Sequence, residues 1–240
     1  MRYRSLFLFL FLIKLNLKLQ EHIASVFKSV FKNKPILVFA PGRINLIGEH
    51  TDYNNGFVFP AAIDKGIYTA ISKSKNDFCS IIADDVNEKF EFELKNIQSI
   101  DKGGWRNYAL GVVAEIQKKG KQLHPFNAVF GGDIPAGAGL SSSAALENSF
   151  VFGLNELFQL ALSKEEMIAI SQKAEHNFVG VQCGIMDQYA SMFGKENTAL
   201  LLDCKTLKSI EYRIDFNEFE LLLINTNVQH RLSESAYNNR

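Results

Sequence analysis

Cysteine is scarce in this 240-residue chain, and its placement rules out more than its number does. Cys79, Cys183 and Cys204 are odd in number and far apart, without the close pairing of zinc or redox motifs. That argues against a disulfide framework and a structural metal, and for a reducing, cytoplasmic compartment. Net charge is absent as well: Lys plus Arg equals Asp plus Glu at 26 each, so no overall field draws the chain to nucleic acid or acidic lipid. Any anion must be bound locally. No long hydrophobic run is present either. The apolar stretch Leu6 to Ile13 follows Met1-Arg2-Tyr3-Arg4 and is interrupted by Lys14 and Lys18. Eight residues cannot cross a bilayer, and no small-residue cleavage site follows, so residues 1–20 read as an atypical apolar extension or a misplaced start rather than a signal. No membrane association is expected. No repeat, low-complexity tract or Pro-rich linker divides residues 21–240, which read as one unit.

What is present is an ordinary globular composition, 47% hydrophobic and 22% charged. Ile23, Val26, Phe27, Val30 and Phe31 recur at helical spacing over Gln20–Phe31, and Pro35 stops the helix. The apolar run Ile36 to Ala40 predicts a first strand, and Phe57–Ile63 and Gly66–Ser72 read as extended. Phe90, Phe92 and Leu94 alternate with Glu91 and Glu93 as in a sheet with one solvated face. Trp105–Lys119 reads as a helix, Phe126–Phe130 as a strand and Ser142–Leu160 as a long apolar helix. Ser163 with Glu166 is a capping box, opening a helix to about Phe178 with Met167, Ile170, Ala174 and Phe178 inward. Thr198–Asp203 and Phe219–Asn225 are the last strands expected. The fold class is α+β. Asn238-Asn239-Arg240 ends in the first turns of a helix with no stop signal, which leads us to expect a fragment.

The segment Pro41-Gly42-Arg43-Ile44-Asn45-Leu46-Ile47-Gly48-Glu49-His50-Thr51-Asp52-Tyr53 places a cation, two carboxylates, an imidazole and two glycines after the first strand. Read as a loop at a strand end, it suits a ligand with many hydroxyls, because carboxylates accept from hydroxyls while Arg donates in a fixed fork. The plain alternative is a turn whose Asp and Asn side chains satisfy their own backbone.

Gly131-Gly132-Asp133-Ile134-Pro135-Ala136-Gly137-Ala138-Gly139-Leu140 leads into Ser141-Ser142-Ser143-Ala144-Ala145-Leu146-Glu147 and a helix. Glycines let backbone amides approach a phosphate, and a helix N-terminus adds unpaired N–H donors. It is neither a Walker loop nor a Rossmann fingerprint, and it lacks the closing glycine of a nucleophile elbow. A hydroxyl here could ligate Mg2+; a serine that merely caps the helix is the plain alternative.

Gln182-Cys183-Gly184-Ile185-Met186-Asp187-Gln188 sets one carboxylate among apolar neighbours, where it needs a partner. A cation such as Arg43 would keep Asp187 ionised and able to accept a proton. A buried Cys183 thiol acting as a small apolar residue is the commoner case over a reactive one.

Taken together these segments resemble a family. Arg43 to Tyr53 resembles the galactokinase signature, Pro135 to Ala145 the second motif of the GHMP small-molecule kinases, and Cys183 to Gln188 the galactokinase segment with the catalytic Asp. Asn225-Thr226-Asn227-Val228-Gln229-His230, with Tyr237 and Arg240, is also galactokinase-like. The resemblance implies a GHMP-kinase N-terminal domain, of the ribosomal protein S5 domain 2-like type, over residues 21–240. The C-terminal ferredoxin-like domain with its third glycine-rich motif would be largely missing. It further implies transfer of the ATP γ-phosphoryl group to the C1 hydroxyl of α-D-galactose by a monomer. Asp187 would be the base and Arg43 its orienting cation. Glu49, His50, Thr51, Asp52, Gly184 and Tyr237 would contact the sugar. Gly137, Ala138, Gly139, Leu140, Ser141, Ser142 and Ser143 would wrap the phosphates, Trp105 would lie near adenine, and Ser143 with Glu175 would hold Mg2+. On their residues alone, Glu175 reads as a solvated helix position and Trp105 and Tyr237 as half-buried aromatics. Two alternatives stay open: a non-catalytic galactose- and ATP-binding regulator on the same scaffold, and a kinase for a related sugar such as galacturonate, arabinose or N-acetylgalactosamine.

Overall fold

The computed structural model describes residues 16–135, 137–215 and 221–224. A five-stranded sheet forms its centre. The strands are β1 (Ile36–Asn45), β3 (Pro60–Lys73), β6 (Phe126–Gly132), β4 (Cys79–Ala83) and β5 (Glu88–Phe92), side by side in that order. Every neighbouring pair is antiparallel except β4 with β6. A smaller sheet joins β2 (Phe57–Val58), β7 (Thr198–Asp203) and β8 (Lys208–Arg213).

Side chains alternate across β3, so its two faces feed two cores. Tyr68 and Ala70 pack with Val129 of β6 against Ile23 and Phe27 of α1 (Leu17–Phe31). Ile67 and Ile71 face the main core, which they share with the helices α2 (Trp105–Lys118), α3 (Ser142–Phe158), α4 (Lys164–Ala174) and α5 (Met186–Phe193). Inside α3 even the polar Ser149 is wholly buried, its hydroxyl 2.8 Å from that of Thr69 on β3. Among the described residues no helix is long and apolar enough to cross a membrane.

Local signals placed several elements correctly. Helix α1 starts three residues earlier than periodicity predicted, because the Asn16 side chain accepts from Leu19 N at 3.2 Å and caps it there. Ser163 and Glu166 form the expected reciprocal capping box at the head of α4. Four expectations need correction. First, the segment from Pro41 is not all loop: β1 runs through it to Asn45, with a register shift between Pro41 and Arg43, so Arg43 stands on a strand. Second, α4 does not run regularly to Phe178. It ends at Ala174 in a π-helical turn, Glu175–Val179, which leaves Phe178 only half-buried while Met167, Ile170 and Ala174 are buried as predicted. Third, Phe57 to Ser72 is a two-residue strand followed by one long strand through Gly66. Fourth, of the strand predicted over Phe219–Asn225, residues 221–224 carry no strand and are exposed, with no strand paired to them among the described residues; Phe219, Glu220 and Asn225 lie outside the described residues.

Candidate active site

Strand β1, the glycine-rich loop and the head of α5 converge on one ion pair. Arg43 Nε donates to Asp187 Oδ1 at 2.7 Å, across 144 positions of sequence. The Arg43 fork also donates from Nη1 to the Gly139 carbonyl at 2.7 Å, and its backbone N–H donates to the Leu140 carbonyl at 3.1 Å. One residue thus ties the proposed base to the loop. Gly139 itself has φ 69°, a left-handed conformation that a side chain would strain.

Ser141 sits in the same left-handed region at φ 59° and is nearly buried. As the residue before α3 it would ordinarily cap the helix, yet its side chain makes no capping bond. Its hydroxyl donates instead to Asp187 Oδ2 at 2.7 Å. A hydroxyl has one proton, so a Ser141 that donates to Asp187 cannot at the same time donate to a phosphate. Ser142 is exposed and Ser143 half-buried at the head of α3, where the first-turn N–H groups have no partner within the helix.

The neighbouring wall comes from the turn after β1. Asp52 abuts Gly184 so closely that a Cβ there would overlap its carboxylate. Burial, then the nearby Asp187 charge, raise the Asp52 carboxyl above its ordinary value. Glu49 and His50 are exposed; Asn45 Nδ2 donates to Glu49 Oε1 at 3.3 Å, and His50 Nδ1 lies 2.7 Å from the Tyr53 hydroxyl. The Thr51 hydroxyl faces the Gly48 and Phe57 carbonyls, both at 2.7 Å, and so closes the turn. A cavity of about 820 Å³ opens here, lined in part by His50, Asp52, Gly184, His176 and Lys205.

Behind Asp187 lies a buried polar cluster. Glu175, the first residue of the π-helical turn, continues the buried face of α4 that carries Ile168 and Ser171 and is 3% exposed; burial and then the Asp187 charge push its carboxyl up to about 7. Such turns frequently mark functional positions. Glu175 is hydrogen-bonded by Ser143, by Cys183 Sγ at 3.4 Å and by Gln188 Nε2 at 3.0 Å. Glu147 on α3 is fully buried, and burial raises its carboxyl well above the ordinary range. The Cys183 thiol is pushed up too, first by burial and then by Glu175, which marks it as unreactive.

The donor set fits Mg2+, which takes oxygen ligands and is held through one or two carboxylates together with substrate phosphates. Ser143 and Glu175 offer a hydroxyl and a carboxylate already in contact. Glu147 Oε1, buried nearby, finds no hydrogen-bond partner among the described residues. Those residues hold no group of three or more His, Cys, Asp or Glu able to hold a metal ion by itself.

Trp105 is half-buried at the head of α2. Its indole N–H donates to Glu88 Oε2 at 2.7 Å, and its ring lies 5.2 Å from Phe130, near the end of β6 that leads into the glycine-rich loop. The geometry therefore brings Arg43, Asp187, Gly139, Leu140 and Ser141 together, joins Asp52 to Gly184 beside them, and pairs Ser143 with Glu175 behind. Ala136, Tyr237, Arg240 and the run Asn225 to His230 lie outside the described residues. Sequence reasoning gave no role to Glu147 or Gln188. The available signal was a carboxylate inside an apolar helix, Ala144-Ala145-Leu146-Glu147, followed by Phe150 and Val151.

Comparison with known proteins bears on the same segments. Residues 25–73 match the family model "Galactokinase galactose-binding signature", and residues 107–195 match "GHMP kinases N terminal domain". The chain is 46% identical over 203 residues to a galactokinase of Thermosipho africanus, covering 85% of this chain and 56% of that protein. It is 40% identical over 227 residues to a galactokinase of Bacillus subtilis, covering 92% and 58%. A solved Lactococcus lactis galactokinase complexed with galactose superposes with a TM-score of 0.86 at 34% identity, covering 92% of this chain and 58% of that one. The chain thus spans somewhat more than half the length of the relatives it matches.

Proposed function

The chain belongs to the galactokinase branch of the GHMP kinases, and on that premise we propose that it phosphorylates the C1 hydroxyl of α-D-galactose with ATP. The observation that carries the reading is Asp187, held through both oxygens by Arg43 and Ser141 between the phosphate-type loop and the Asp52–Gly184 wall.

The sugar hydroxyl oxygen attacks the γ-phosphorus, the bond to the bridging oxygen breaks, and ADP leaves; Asp187 takes the hydroxyl proton. Phosphoryl transfer asks mainly for positioning and charge neutralisation. Arg43 meets both needs, orienting Asp187 with one nitrogen while its positive charge faces the reacting centre. Asp52, with Glu49 and His50, accepts from or donates to the sugar hydroxyls. Gly184 makes room for Asp52, and Thr51 holds the turn that carries these groups. Backbone N–H groups of Gly137 to Leu140, with Ser142 and Ser143, cradle the phosphates, and Trp105 flanks the adenine. Ser143 and Glu175 would hold Mg2+, which when bound neutralises phosphate charge. A chain using ATP and carrying unpaired thiols acts in the cytoplasm, as a monomer on two small molecules.

The test is direct. The purified protein, given ATP, Mg2+ and galactose, is expected to yield ADP and galactose 1-phosphate by phosphorus NMR. Absence of that product in the presence of bound galactose would sink the reading.

A further inference from the structure

We propose that Gln188 is a positioning residue for the Glu175 carboxylate, fixing its orientation for a divalent cation; the inference rests on the metal reading of Ser143 and Glu175 given above. Gln188 is completely buried on α5, one residue after Asp187. Its single amide nitrogen serves two buried carboxylates, donating to Glu175 Oε2 at 3.0 Å and to Glu147 Oε2 at 3.4 Å. Its backbone carbonyl accepts from Asn148 Nδ2 at 2.9 Å, so consecutive residues of α3 grip α5 at one point.

The residue type is informative. Glu147 and Glu175 repel each other and are both desolvated, so the pair needs a donor between them. A lysine or arginine there would neutralise the pair and compete with a dication for Glu175. A leucine would leave two buried carboxylates without that donor. A primary amide supplies two N–H groups and no charge, which gives each carboxylate a donor without placing a cation that would compete for Glu175. Because a carboxylate is planar, tying down Oε2 also sets where its other oxygen points. Outer contacts of this kind orient metal ligands elsewhere, and their loss costs about 10–100-fold in metal affinity.

Position on the helix adds a second consequence. Adjacent residues of an α-helix project about 100° apart. Asp187 therefore turns to Arg43 and Ser141 while Gln188 turns to Glu147 and Glu175. One turn of α5 sets the base and the metal-binding carboxylate in a fixed relation.

The test titrates Mn2+, followed by electron paramagnetic resonance, into the purified protein with ADP, for native protein, Gln188→Met and Gln188→Asn. Methionine keeps the volume and removes the donor; asparagine keeps the amide but withdraws it by one methylene. Gln188→Met is expected to bind Mn2+ about 10–100-fold more weakly, with galactose affinity unchanged by calorimetry. Gln188→Asn is expected to fall between it and the native protein. If Gln188→Met does not fold, the asparagine titration decides. Native Mn2+ affinity in a folded variant, with only a lowered Tm, overturns the proposal. A native protein that binds no Mn2+ with ADP overturns instead the metal reading beneath it.

Discussion

The turn from Gly48 to Asn55 and the cluster behind α5 solve opposite problems. In the turn, Glu49 and His50 stand in solvent, and neighbouring groups satisfy one another at short range: Thr51 with Gly48, His50 with Tyr53, Asn54 with the His50 carbonyl. In the cluster, Glu147, Glu175 and Gln188 are buried, drawn from three helices, and leave Glu147 Oε1, Asn148 Oδ1 and Gln188 Oε1 without a hydrogen-bond partner among the described residues. Exposed polar groups cost little to hold and can be exchanged one at a time. Buried charge is costly, so its parts depend on one another.

That contrast can be broken or sharpened by a graded series. Asp187→Ala is expected to lower kcat by about 10²–10⁴-fold, the usual contribution of a general base, while calorimetry shows galactose still bound. Retained turnover would remove Asp187 as base. Arg43→Met follows, with a loss of about 10²–10³-fold in kcat. Arg43→Lys is expected to restore little, because a single ammonium cannot reach Asp187 Oδ1 and the Gly139 carbonyl in the same fork.

The buried acids give a pH signature. Glu175 holds its proton up to about 7 in the folded protein, against 4.5 for an ordinary glutamate. Between those values the folded state binds more protons than the unfolded state, so stability falls as pH rises. Below about 4.5 the residue contributes no penalty, and above about 7 the penalty is complete, on the order of 3 kcal/mol. Glu147 adds in the same direction. Denaturant melts between pH 5 and 8 are expected to show this decline, and Glu175→Gln to flatten it; a native profile rising with pH would contradict it.

Smaller effects test the division of labour. Ser141→Ala is expected to lower kcat about tenfold, roughly the worth of one hydrogen bond to a charged group, with KM for ATP little changed. A large rise in that KM with kcat intact would return Ser141 to the phosphates. Smallest is Thr51→Val, expected to cost about 1 kcal/mol in thermal melts and to shift KM for galactose only slightly.

Much of this was legible before folding was considered, and the exceptions have causes. The helix caps at Ser163 and the strand Thr198–Asp203 depend on neighbours a few positions away. Strand β4 gave no signal because it is five residues long and buried on both faces beside β6, so no alternation marks it. Strand β8 is mostly exposed and, within its sheet, pairs only with β7. Glu175 reads as solvated from its residue type, yet it falls seven residues after Ile168 and four after Ser171, on the buried face of α4.

By sequence alone, the chain declared the order of its motifs, the families they resemble, and the chemical groups on offer: a cation, a carboxylate among apolar residues, a run of serines after glycines. Tertiary structure alone decided which groups meet. Arg43 and Asp187 are 144 positions apart, Ser141 turns from capping its helix to holding Asp187, and Gln188 bridges two acids from other helices. The reason is physical. Caps, turns and periodicity arise from interactions within a few residues, whereas an ion pair or a buried amide bridge depends on which strands and helices pack together.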